Sequence, residues 1–101
     1  MDNPGMTWLV EQAAAYIMWL MTARERSVPV DPRPLPRDLH VLAIEWSHQT
    51  KRLSSQEAQA LLDHLRWQYK ETIDGMGEVQ LRMLLDDALA IYDERYARRF
   101  S

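Results

Sequence analysis

The stretch from Met6 to Met21, MTWLVEQAAAYIMWLM, limits what this chain can become. It is the most apolar segment and is apolar on more than one side. At about 100° per residue, Leu9, Val10, Ala13, Ile17, Leu20 and Met21 share one broad helical face. Trp8, Ala15 and Trp19 fall nearly opposite, flanked by Glu11, Gln12 and Thr22. One core uses one stripe. A helix with two apolar faces is either wrapped by its own domain or shared with another chain.

The run is too short to cross a membrane. From Ala13 to Met21 it is continuous over nine residues, against about 20 for a span. The leading MDNPGM carries an acid where a secretory signal carries basic residues. Cysteine is absent, so there is neither a disulfide framework nor thiol chemistry. These features predict a soluble cytoplasmic protein. With 101 residues and 47% hydrophobic content, one globular domain is expected. Arginine outnumbers lysine and alanine is plentiful, a composition expected of a GC-rich bacterium or its phage.

The remaining chain reads as helices. The first is expected over about residues 4–26, with Asn3 as cap, Pro4 in its first turn and arginines at the negative end of its dipole. Residues 27–37, SVPVDPRPLPR, hold four prolines. They remove backbone donors and favour extended conformations, giving a stiff strap across the bundle. Pro29 and Pro32 also have PxxP ligand spacing, a weaker reading than the strap. A second helix, 36–52, has a main stripe of Leu39, Leu42, Ala43 and Trp46 and a second patch of Val41, Ile44 and His48.

A third helix, 54–74, begins with Ser54 and Glu57 at capping-box spacing. Its stripe is Ala58, Leu61, Leu62, Leu65, Tyr69 and Ile73, with Trp67 opposite beside Ala60, Asp63, His64 and Glu71. Gly75 is expected to close it in the left-handed conformation. A fourth helix, 78–99, turns Leu81, Leu84, Leu85, Ala88, Leu89, Tyr92 and Tyr96 inward. Met83, Ala90 and Ala97 line its outer side, and Glu94 can pair with Arg98. No strand pattern or repeat occurs. The prediction is all-α: a small four-helix bundle with a proline-rich strap between helices 1 and 2, dimeric through its surplus apolar faces.

Chemistry-bearing motifs are missing. His40, His48 and His64 lack the spacing of a metal-binding helix, so no metal is expected. Ser47 and His48 are neighbours and point about 100° apart, which no nucleophile and base can use. Asp86, Asp87, Asp93 and Glu94 have the spacing of a solvated face compensated by arginines. The glycines build no phosphate cradle, and no cofactor is expected. Helices 2 and 3 could form a helix-turn-helix. The would-be reading helix, however, carries Glu57, Asp63 and Glu71 against Arg66 and Lys70, and the net charge is −3. Both disfavour nucleic acid. An enzyme is the weakest reading.

The tryptophans carry the functional signal. Trp46 fits the core, whereas Trp8, Trp19 and Trp67 lie off the main stripes. Tryptophan is enriched at binding hot spots. The expected protein interface is Trp8, Glu11, Ala15, Trp19, Val41, Ile44, His48 and Trp67. Its partners would be a second copy of the chain and a larger protein with a basic patch, such as a transcription factor.

The WLVEQAAAYIMWLM helix, the proline strap and the LSSQEAQALLDHL helix together resemble the small helical anti-activators that bacteria use against quorum-sensing transcription factors. The resemblance is one of type and carries over no residue. It implies binding to a ligand domain and loss of the target's DNA binding. Alternative readings are a phage inhibitor of a host defence complex, an assembly chaperone and, last among the binding proteins, a DNA-binding repressor.

Overall fold

A computed structural model describes residues 4–96, with side chains described from Met6. The helices are α1 (Pro4–Glu25), α2 (Arg37–Thr50), α3 (Ser55–Gln68), α4 (Lys70–Asp74) and α5 (Glu78–Arg95). The expected Asn3 cap, the outer Ala97 and the Glu94–Arg98 pair involve residues outside the described range. The architecture is an all-α bundle. α1 packs most extensively along α5, and α2 along α3, with lighter α1–α3 and α2–α5 seams closing the circuit.

The main stripes bury as the helical period requires. Leu9, Val10, Ala13, Ile17, Leu20 and Met21 enter the core from α1, and Leu39, Leu42, Ala43 and Trp46 from α2. Leu61, Leu62 and Leu65 of α3 and Leu84, Leu85 and Ala88 of α5 pack against them. Trp46 is the largest fully buried side chain, 1% exposed. Its indole N–H donates to Asp86 Oδ1 at 2.8 Å, so the polar tip is satisfied while the ring is dry. Asp86 therefore anchors a core ring while lying on the exposed acidic face expected for it. Asp93 likewise accepts two hydrogen bonds from Arg52, at 2.5 and 2.9 Å.

Three local expectations are corrected. The third helix is broken: Tyr69 (φ −132°, ψ 49°) separates α3 from α4. In a straight helix Arg66 and Asp74, two turns apart, would be separated by about 12 Å. The break brings Arg66 Nε within 2.8 Å of Asp74 Oδ1 and turns Ile73 fully into the core. Second, Gly75 is right-handed (φ −85°, ψ −7°). Among the described residues, the left-handed ones are Ser27 (φ 56°) and Lys51 (φ 58°). At Ser27, Val28 N–H bonds Ala23 O at 2.8 Å and Ser27 N–H bonds Arg24 O at 3.1 Å. That is a Schellman ending, built here on serine in place of the usual glycine. Third, Ala60 is buried and does not share the outer face of Trp67.

Chain direction explains the long connector between α1 and α2. Arg24 meets Glu57, Tyr16 meets His64 and Trp8 meets Tyr69, so α1 and α3 run antiparallel. A four-residue turn, Lys51 to Ser54, makes α2 antiparallel to α3 as well. α1 and α2 therefore point the same way, and the chain must return along the bundle between them. Residues 28–36 are neither helix nor strand. At about 3.1 Å per residue, an extended proline-rich segment of this length covers the distance that a 14-residue helix spans. Val30 and Leu35 pack against the core along the way.

One end of the bundle is fixed by Glu57, which is 7% exposed. Its Oε1 accepts the Ser54 backbone N–H at 2.8 Å while its own N–H donates to Ser54 Oγ at 3.1 Å, the predicted capping box. The same carboxylate takes both arms of Arg24, with Nε to Oε2 at 3.1 Å. Burial pushes the Glu57 carboxyl up, but the hydrogen bonds from Arg24 and Ser54 outweigh it and hold the group below the usual glutamate value. A lowered carboxyl pKa adds stability that is complete above the unfolded value, about 4.3, and is lost as pH falls through the folded one. Glu57→Gln should lower stability at neutral pH by roughly 1–3 kcal/mol and flatten the decline on the acid side. Urea unfolding at neutral and acidic pH measures both effects. An unchanged acid slope would assign that slope to other carboxylates.

Candidate functional site

α1 and α3 together present an aromatic face. Trp8 and Trp19 are 49% and 50% exposed, at opposite ends of one side of α1, with exposed Ala15 between them. Each ring is braced by a tyrosine. Trp8 lies 5.0 Å from Tyr69 at 80°, edge to face. Trp19 stacks on Tyr16 at 5.2 Å and 21°. Tyr16 in turn stacks on His64 at 4.0 Å and 11°, so a three-ring ladder runs from α1 onto α3. Each such pair contributes about 0.5–1.5 kcal/mol beyond its buried area. Gln12, Ala15 and the three rings line a shallow groove of about 340 Å³.

Trp67 is the most exposed of the four tryptophans, at 71%. The Arg33 guanidinium carbon sits 4.0 Å from its ring centroid. Arg33 is held by Asp63, which accepts from Arg33 Nε and from its backbone N–H, each at 3.2 Å. The connector thus supplies a cation to the face, and α3 supplies both the ring and the anion that position it. This placement favours a cation–π contact of about 0.5–1 kcal/mol at such an exposed site.

The predicted interface residues divide into groups. Trp8, Ala15 and Trp19 lie together on α1, and Trp67 lies on α3 under Arg33. Glu11 pairs with Arg95 of α5 at 3.3 Å. Val41 is exposed, but it lines a different groove, between α2 and the α4–α5 corner, which shares no residue with the aromatic one. Ile44 is half-buried and His48 exposed, and neither joins the rings. The residues expected to form one interface are therefore not contiguous: Ala15 and Trp19 line the aromatic groove and Val41 a separate one.

Sequence reasoning missed Tyr16, His64 and Arg33 as members of the aromatic face, and assigned Tyr69 to the core stripe. Tyr16 sits at the border between the two faces of α1, and its i,i+3 spacing to Trp19 was the available signal. His64, expected as a polar surface residue, is half-buried by the Tyr16 ring. Among the described residues, no group of three or more His, Cys, Asp and Glu side chains could hold a metal ion, and no helix is long and apolar enough to cross a membrane. No protein-family model, curated protein or solved structure matches the chain significantly.

Burial lowers the His64 pKa. Asp63 opposes that shift and Arg33 reinforces it. Burial likewise raises Tyr16, with Asp63 adding to the rise and Arg33 opposing it. Burial thus favours the neutral form of both rings. A lowered histidine pKa means that the unfolded chain takes up the proton first. Its stabilising effect is present above about 6.5 and is lost as pH falls through the folded value. The His64 imidazole should titrate below 6.5 by proton NMR, and His64→Gln should remove that part of the pH dependence of stability. A titration midpoint at or above 6.5 would show that Tyr16 does not shield the ring.

Proposed function

We propose that this chain is a non-enzymatic regulatory protein that binds a larger protein through the α1–α3 aromatic face and antagonises it by occlusion. The observation supporting this reading is the braced, half-exposed arrangement of Trp8 and Trp19. Rings fixed by neighbours lose little entropy on binding, and tryptophans in such settings dominate interface energetics. The partner we favour is a transcription factor, with the chain acting as an anti-activator that covers a ligand-binding or dimerisation surface. In the absence of that partner the same face would pair two copies of the chain.

The test has two steps. A tagged wild-type chain and a Trp19→Glu variant are used for affinity capture, and the protein lost from the variant is identified and purified. Its activity, or its DNA binding if it is a transcription factor, is then measured against increasing amounts of this chain. The wild type should inhibit it. Trp19→Glu should keep its helix content and weaken binding by about 2 kcal/mol or more, near thirtyfold. Equal inhibition by the two proteins would refute the role of the face. Capture without inhibition would refute antagonism and favour a chaperone.

A further inference from the structure

The second groove carries a different chemistry. It is about 670 Å³ in volume and lies between α2 and the corner where α4 passes into α5. Leu39, Leu42, Ile73 and Leu81, buried core residues, form its floor, and half-exposed Val41 and part-buried Met76 edge it. Four carboxylates line it, from Asp38, Glu45, Asp74 and Glu78, against one guanidinium, Arg66. Arg66 and Lys70 both pair with Asp74, at 2.8 and 3.9 Å, and Arg82 reaches Glu45 at 2.6 Å and Glu78 at 3.3 Å. Asp38 makes no ion pair or hydrogen bond among the described side chains. The groove thus offers an apolar floor under a rim on which four carboxylates face three cations, with Asp38 the one left unpaired.

We infer that this groove docks a cationic amphipathic helix of another protein, its aliphatic side chains against the Val41 and Met76 edges over the Leu39–Leu81 floor and its lysines or arginines at the rim, where Asp38 is unpaired. Helix-in-groove binding uses this combination: apolar anchors at i, i+3, i+4 and i+7, with flanking charges setting specificity and on-rate. An anionic or uniformly polar segment would meet repulsion at the rim or leave the floor wet. The site is independent of the aromatic face and stands or falls separately from the proposed regulatory function.

The probe is a labelled helical peptide of leucine and lysine, about 14 residues long, with its leucines on one stripe. Two controls are the same composition scrambled to break the stripe, and the same stripe with glutamate replacing lysine. Fluorescence anisotropy should show the striped basic peptide binding roughly tenfold or more tightly than either control, and weakening in high salt. Asp38→Lys and Val41→Lys, both at exposed positions, should each weaken it by roughly tenfold while circular dichroism stays unchanged. Trp19→Gln should leave it unaltered. Equal binding of the scrambled peptide would reduce the effect to net charge and overturn the proposal. So would full affinity in both groove variants, or loss of binding in Trp19→Gln.

Discussion

Glu57 is the point on which the rest of the structure hangs. One nearly buried carboxylate closes the start of α3 through Ser54 and clamps the end of α1 through Arg24. Arg24 also donates to the carbonyl of Arg52 at 3.0 Å, and Arg52 grips Asp93 of α5. Three helices and a turn are thereby tied at one end of the bundle. A buried charge is tolerable only when its hydrogen-bonding capacity is filled, and no buried side-chain nitrogen or oxygen among the described residues lacks a partner. The tie also sets register. With Arg24 opposite Glu57, antiparallel α1 and α3 bring Tyr16 to His64 and Trp8 to Tyr69. The aromatic face is thus positioned by the polar end of the bundle as well as by the core.

The four tryptophans divide by how each polar tip and ring is used. Trp46 reaches Asp86 from inside and closes the α2–α5 seam. The other three lie outside, braced by Tyr69, Tyr16 or Arg33. Lone exposed apolar residues such as Val79 and Met83 are ordinary on a protein surface. Several braced aromatic rings on one face are not. The connector contributes to both sides of this division, with Val30 and Leu35 against the core and Arg33 over Trp67.

Much of this architecture was legible in the residues. The Leu9–Ile17–Leu20 stripe, the burial of Trp46 and the Ser54–Glu57 capping box follow from helical period and local hydrogen bonding. The break at Tyr69 was hidden because the apolar stripe continues through it to Ile73; the Tyr69 backbone angles and the local pairing of Arg66 with Asp74 mark it. The left-handed turns at Ser27 and Lys51 lie on residues without glycine's freedom, so composition pointed to Gly75 instead. The outward tryptophans were readable from angle alone. Their companions were not, since Tyr16 and His64 meet only once the α1–α3 register is set. For the same reason Val41 was grouped with rings that it does not approach.

The central claim is that Trp8, Trp19 and Trp67 belong to a surface and Trp46 alone to the core. The most direct measurement is the tryptophan emission spectrum of the triple variant Trp8→Gln, Trp19→Gln, Trp67→Gln, excited where tyrosine does not absorb, in which Trp46 is the sole tryptophan. A native, blue-shifted emission that moves to red in one cooperative urea transition is the result this account predicts. Red-shifted emission in buffer, with the transition lost, would show that the outer rings hold the fold together and would contradict it.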